Sequence, residues 1–360
     1  MDLTTSFNGI TLKNPLMPAS GPIVGDDEKM LFLESLGLGG MVTKTISTKG
    51  AEVPRPCIYG ERNYIMNAEL WSEHPPEMWL EEILPNMKKH SELPLIISAG
   101  YVIEDMEYLI PKLDKYADAF EISTHYVGKD LTTIENIVKT IRKHTEKPLF
   151  MKISPHIPDV EGFVKTVKNA GANGIVAINS LGPTIKIDLK KKSVLMGNDE
   201  GFMWTSGPAI KNLALAVVYK IKKIDPEMTV IGVGGISNAK DVLEFLMAGA
   251  DAVQMLSAAM INGKMLYKKI IDDLPKELEK YGFKSIEEVK NTSLIQEKIR
   301  YSPLNPIINE SICTKCKLCE KICPYFAIKV EDTVEVNKLK CFGCGLCQSK
   351  CPVEAISGVY

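Results

Sequence analysis

Eight of the nine cysteines in this chain lie between Cys313 and Cys351, and their spacing constrains the fold more than anything else in the sequence. They form two runs of one pattern, Cys313-x2-Cys316-x2-Cys319-x3-Cys323-Pro324 and Cys341-x2-Cys344-x2-Cys347-x3-Cys351-Pro352. Three thiolates on a tight loop can cap three irons of a 4Fe–4S cube. The fourth ligand comes from a short helix ended by proline. In this doubled spacing the fourth cysteine ligates the other cluster. One cluster is therefore expected on Cys313, Cys316, Cys319 and Cys351, and the other on Cys341, Cys344, Cys347 and Cys323. Zinc sites need four ligands each but not this repeat, and disulfides belong to exported chains. Gly343 and Gly345 let backbone N–H groups approach the sulfurs.

The rest of the chain has ordinary globular character. Hydrophobic residues make up 45% and charged residues 24%, with a formal net charge of −2. No basic patch points to nucleic acid, and no apolar run is long enough for a bilayer. The opening Met1-Asp2-Leu3-Thr4-Thr5 lacks the regions of a secretory signal, so the cytoplasm is the expected compartment. The expected division is a large domain over 1–300 and a cluster domain over 301–360.

Within the large domain, short β-branched runs alternate with helical patterns. Strands are expected at 39–44, 93–98, 117–122, 148–153, 174–178, 228–233 and 252–256. Helices are expected at 78–89, 131–144, 160–170, 209–224 and 239–248. Such repeated βα units over about 250 residues predict an α/β fold, a (β/α)8 TIM barrel. A doubly wound sheet is the alternative, but it usually opens on a glycine-rich dinucleotide turn. The early strand here ends in Pro18-Ala19-Ser20-Gly21-Pro22 instead. Ser6–Thr11, with Asn8-Gly9 at its centre, reads as a hairpin plugging the barrel bottom.

Barrel chemistry sits at the C-terminal ends of the strands. Those ends carry Thr43-Lys44-Thr45, Lys152-Ile153-Ser154, Asn179-Ser180, Gly234-Gly235-Ile236-Ser237 and Ser257-Ala258-Ala259. The last two make a candidate phosphate grip of glycine backbone and helix start. Two lysines on different strands facing one mouth point to an anion or a flavin.

These residues resemble the dihydroorotate and dihydropyrimidine dehydrogenase family along nearly the whole chain. The resemblance runs through Asn14–Gly21, Thr43-Lys44-Thr45, Asn67-Ala68-Glu69-Leu70-Trp71-Ser72-Glu73, Lys152, Asn179-Ser180, Ser206-Gly207, Gly234-Gly235-Ile236 and Lys284–Glu288. The tail resembles a bacterial ferredoxin-like domain. The closest layout is the flavin and cluster portion of dihydropyrimidine dehydrogenase. The resemblance implies FMN and two 4Fe–4S clusters. It places Ala19, Ser20, Lys44, Thr45, Lys152, Asn179, Ser206, Gly207, Gly234, Gly235, Ser257 and Ala258 at the cofactor. It places Asn67, Asn179, Ser180 and Ser123 at the substrate, and makes Lys44 a candidate catalytic cation.

One segment departs from the family. Where members carry Asn-x-Ser-Cys-Pro-Asn, this chain reads Ser123-Thr124-His125-Tyr126-Val127-Gly128. Tyr126 occupies the acid/base position, with His125 beside it. A phenol with a pKa near ~10 stays protonated at neutral pH, so Tyr126 or His125 is the expected proton donor. The expected reaction is reduction, or formation, of an activated C=C bond in a small molecule. A true dihydropyrimidine or dihydroorotate dehydrogenase with a changed acid is the first alternative. An electron-transfer adaptor subunit is the second. No dinucleotide fingerprint is visible. Electrons are therefore expected to come from a partner, either an NAD(P)H-dependent flavoprotein subunit or a ferredoxin. By resemblance the chain should form a homodimer. Cys57 is expected to be a small buried filler.

Overall fold

The structure is a computed structural model that describes every residue except Tyr101, residues 125–129 and residues 296–298. The chain divides into two compact units, Met1–Leu294 and Ile295–Tyr360.

The first unit is built on eight parallel strands: β1 (Leu16–Pro18), β2 (Met41–Val42), β3 (Leu95–Ala99), β4 (Ala119–Ser123), β5 (Leu149–Ile153), β6 (Gly174–Ala177), β7 (Thr229–Val233) and β8 (Ala252–Met255). Their hydrogen-bonded order runs β1-β8-β7-β6-β5-β4-β3-β2. Each is buried along its length, because helices cover the outside and the barrel interior is packed. A backbone bond from Gly39 N–H to Leu16 O, 3.0 Å, ties β1 to the approach to β2. A side chain at Gly39 would lie 1.9 Å from the Asn14 carbonyl oxygen, so that closure needs glycine.

The outer helices are α1 (Asp27–Glu34), α2 (Leu84–His90), α3 (Ile103–Leu113), α4 (Leu131–Arg142), α5 (Val160–Ala170), α6 (Lys211–Ile224), α7 (Ala239–Met247) and α8 (Leu266–Lys280), with short helices at Pro76–Met78, at Ser257–Asn262 between β8 and α8, and at Ile286–Lys290. Their buried stripes form the outer core, as at Ile134, Ile137, Val138 and Ile141 of α4. Asp130, Asp159 and Asn238 accept from the first-turn amides of α4, α5 and α7. The barrel predicted from the alternating pattern is thus observed.

The segment expected as a plain helix over 78–89 is different. It enters α2 through a π turn at Trp79–Ile83. The wide turn carries buried Trp79, whose indole N–H donates to Ser72 Oγ at 2.8 Å. The expected hairpin is present as Thr5–Phe7 paired with Ile10–Leu12 across Asn8-Gly9. Phe7 meets Phe150 edge to face with ring centroids 5.9 Å apart, closing the interior cluster from below.

The second unit repeats a small motif. Leu318–Ile322 and Leu346–Ser349 are short helices that each follow a cysteine loop. Two-stranded pairs, Ile307–Ile308 with Ile356–Ser357 and Ile328–Val330 with Val334–Val336, frame them. None of the nine cysteines is disulfide-bonded. Among the described residues no helix is long and apolar enough to cross a membrane.

Candidate active site

The barrel mouth is a single cavity that gathers residues from the ends of seven strands. Ala19 and Ser20 follow β1; Lys44 and Thr45 follow β2. Ser123 ends β4, Lys152 lies on β5, Asn179 and Ser180 follow β6, and Gly234 and Gly235 follow β7. Gln254 of β8 is joined by Ser257 and Ala258 just beyond it. A side sheet adds Asn67 from the strand Ile65–Asn67, and Ser206 and Gly207 at and just beyond the end of Met203–Ser206. Every described residue that the sequence assigned to cofactor or substrate therefore lines one mouth. His125 and Tyr126 lie outside the described residues.

The floor is a buried polar triad. Lys152 Nζ donates to Glu121 Oε1 at 2.9 Å, and Gln254 Nε2 donates to Glu121 Oε2 at 2.7 Å. Glu121 is 0% exposed. Burial of a charge is tolerated because both carboxylate oxygens are satisfied and a cation is adjacent. Glu121 and Gln254 had no role in the sequence reading. The available signal was a polar residue in the middle of an otherwise apolar strand, AFEIS and AVQM.

The wall is a second charged group. Lys44 is 3% exposed and its Nζ lies 2.8 Å from Glu73 Oε2 and 3.4 Å from Glu69 Oε1. The lysine that the resemblance makes a candidate catalytic cation is thus already ion-paired. Burial, and then the nearby Glu73, push the Glu69 carboxyl above the usual range, against the pull of Lys44. Glu73 moves the other way: Lys44 holds it below that range despite partial burial. Hydroxyls continue the wall, with Ser20 Oγ and Thr45 Oγ1 3.0 Å apart and Thr45 Oγ1 and Ser98 Oγ 2.9 Å apart. Asn179 Nδ2 donates to Ser123 Oγ at 3.2 Å, and Asn67 Nδ2 donates to the Trp204 carbonyl at 3.2 Å. Cys57 is half-buried rather than buried; burial and Glu69 both raise its thiol.

Two observations test whether this mouth suits a flavin mononucleotide. Among the described residues Gln254 Oε1, a buried acceptor in the mouth floor, has no partner, and a ligand donor would satisfy it. At the other end, Gly235 has φ +84, and a Cβ there would stand 2.6 Å from the backbone N and Cα of Lys211. Gly235 is thus packed too closely on Lys211 for any side chain, and with Gly234 it lines the cavity as bare backbone, of the kind a phosphate uses for N–H donors. The residues fit the group. Gly235→Ala is expected to cost about 1–3 kcal/mol in backbone strain. It should also lower the flavin-to-protein ratio after anaerobic gel filtration.

In the second unit, one small apolar cavity is lined by Cys313, Cys316, Cys319 and Cys351, and another by Cys323, Cys341, Cys344 and Cys347. These are the crossed sets expected from spacing. The Ala327 and Ala355 amides donate to Cys323 Sγ at 3.3 Å and Cys351 Sγ at 3.2 Å, the kind of contact that tunes a cluster.

Comparison with known proteins agrees with both units. The dihydroorotate dehydrogenase family profile matches residues 2–278, and the 4Fe-4S dicluster domain profile matches residues 309–355. FMN and two 4Fe–4S clusters are the cofactors that go with this pair. The catalytic subunit of dihydroorotate dehydrogenase B (NAD(+)) from Oceanobacillus iheyensis is 31% identical, over 80% of this chain and 97% of its own length. The same subunit from Pyrococcus furiosus is 33% identical, over 80% of this chain and 98% of its own. The subunit from Thermoplasma volcanium is also 33% identical, over 81% and 99%. About a fifth of this chain therefore has no counterpart in these relatives. On the matched barrel and its mouth, the chain belongs to the dihydroorotate dehydrogenase family, flavin oxidoreductases acting on CH–CH groups.

Proposed function

We propose that this chain interconverts a CH–CH and a C=C bond in a small cyclic amide of the dihydroorotate or dihydropyrimidine type. Its electrons would pass between the barrel mouth and a partner protein through the C-terminal clusters. The observation that carries this reading is the shared mouth of Lys152, Lys44, Asn67, Asn179 and Ser180. Bound there, FMN supplies the hydride chemistry that protein side chains lack.

The chain's own groups would do the rest. Lys152, fixed by Glu121, gives a cation in a water-poor site, where it acts on developing charge more strongly than in water. The Asn67 and Asn179 amides, with Ser180 and Ser123, suit alternating N–H and C=O groups of a ring amide. A protein that held flavin only as a relay would have no use for them. The stretch Asn67–Glu73 favours the dihydropyrimidine branch of the resemblance, whereas the named relatives act on dihydroorotate. The proton is assigned to Tyr126, with His125 as its alternative. Tyr126→Phe should slow substrate-dependent flavin oxidation in single turnover by about 100-fold or more. An unchanged rate would remove Tyr126 from the mechanism.

The partner would be an NAD(P)H-dependent flavoprotein subunit or a ferredoxin, and the barrel would work as a homodimer. Rapid oxidation of NADH by the purified chain alone would defeat the partner assignment.

A further inference from the structure

We propose that Asp241, a residue that does not line the mouth, is a positioning residue for its phosphate end and so decides its preference for FMN over riboflavin, which lacks the phosphate. This deepens the reading above and rests on its flavin site.

The phosphate end is assembled from three separate connections. Ser206 and Gly207 lead into α6, Gly234 and Gly235 lie between β7 and α7, and Ser257 and Ala258 open the short helix after β8. Backbone N–H groups grip a phosphate only where they converge on it, and they do so best when the turns that carry them are fixed beforehand. Ser206 Oγ and Ser257 Oγ, 2.7 Å apart, join the first connection to the third. Asp241 joins the second to the first. Its Oδ2 accepts from both the N–H and the O–H of Ser237, each at 2.8 Å, on the turn that holds Gly234 and Gly235. Its Oδ1 accepts from Nζ of Lys211, the first residue of α6, at 2.7 Å. Gly235 packs directly on the Lys211 backbone, and a Cβ at Gly234 would stand 3.0 Å from that of Ala214. One carboxylate thus clamps the glycine turn onto the start of the neighbouring helix.

A plainer role for Asp241, capping of α7, is already filled. Asn238 is the N-cap, and its side chain accepts from the Asp241 N–H at 2.9 Å. The Asp241 carboxylate is turned instead to the glycine turn and α6, and is 3% exposed. Nor does the clamp aim Lys211 at a phosphate. That ammonium is held between two acids, Asp241 and Glu244, each at 2.7 Å. The grip therefore depends on where the N–H groups lie. The ring end has its own floor of Lys152, Glu121 and Gln254, built on strand residues rather than on these turns. Loosening the clamp should weaken phosphate binding and spare the ring.

The test titrates the full chain, cluster-loaded and free of flavin, anaerobically with FMN and with riboflavin, following the quenching of flavin fluorescence. The wild type should bind FMN at least about 100-fold more tightly than riboflavin. Asp241→Asn keeps the shape but has a single acceptor oxygen for three donors. It should weaken FMN by about tenfold or more and leave riboflavin within about twofold. Ser237→Ala removes one of the same bonds and should move the ratio in the same direction. It keeps the test open if the first variant fails to fold. Glu244→Gln, which leaves Asp241 bonded to both the turn and α6, should not move the ratio. Equal weakening of both flavins, or a ratio unmoved by Asp241→Asn and Ser237→Ala, would overturn the role of Asp241 and leave the flavin reading standing. If the wild type binds neither flavin, both fall together.

Discussion

Lys152→Met is expected to cost the barrel about 3–5 kcal/mol of stability, because it strands a fully buried carboxylate. Glu121 is 0% exposed and has two partners, Lys152 and Gln254. Gln254 supplies a hydrogen bond but no charge. Removing the ammonium leaves Glu121 in low dielectric with only a neutral donor, and a buried unpaired charge is among the costliest defects a core can hold. The double variant Lys152→Met with Glu121→Gln should recover most of the loss. Removing both charges of a buried pair is often close to neutral. Urea unfolding of the two singles and the double closes the cycle. If the double variant is no more stable than Lys152→Met, the pair is not what stabilises the floor.

Cys351→Ala is expected to remove about half of the bound iron, since each of two cubes needs four thiolates. Electron delivery from a reduced partner should stop, while flavin reduction by the small-molecule substrate persists. The crossed ligand sets make a sharper expectation. Cys351 shares a cavity with Cys313, Cys316 and Cys319, not with the cysteines nearest to it in sequence. Cys313→Ala combined with Cys351→Ala should therefore lose no more iron than either alone. Cys313→Ala combined with Cys323→Ala should lose both clusters, because Cys323 lines the other cavity. Iron analysis and low-temperature EPR of anaerobically reduced protein read the difference. The reverse result, with both clusters lost when Cys313 and Cys351 are replaced together and only one lost when Cys313 and Cys323 are, would mean uncrossed ligation.

What reached the sequence and what did not divides along one physical line. The cysteine sets, the Asn8-Gly9 hairpin and the alternation of strand and helix are local patterns. Each is written in residues a few positions apart, where turn geometry and backbone period act directly. The mouth was legible to the extent that strand ends in a barrel must converge, so Lys44, Lys152, Asn179 and Gly234-Gly235 could be named from position. Their pairings were not. Nothing in the sequence paired Lys44, which is bound by Glu73 and approached by Glu69. Trp79 lay in a segment read as regular helix, and its π turn and its bond to Ser72 appear only in the folded structure.

The sequence by itself pointed to the alternating barrel elements and to the crossed thiolate sets that line two separate cavities. The tertiary structure decided which charges are spent. Glu121 meets Lys152 from 31 positions away and Gln254 from 133. A strand's period of two tells which face a side chain takes, but not which neighbour waits there. That is fixed only when closure of the barrel brings β4, β5 and β8 around one axis.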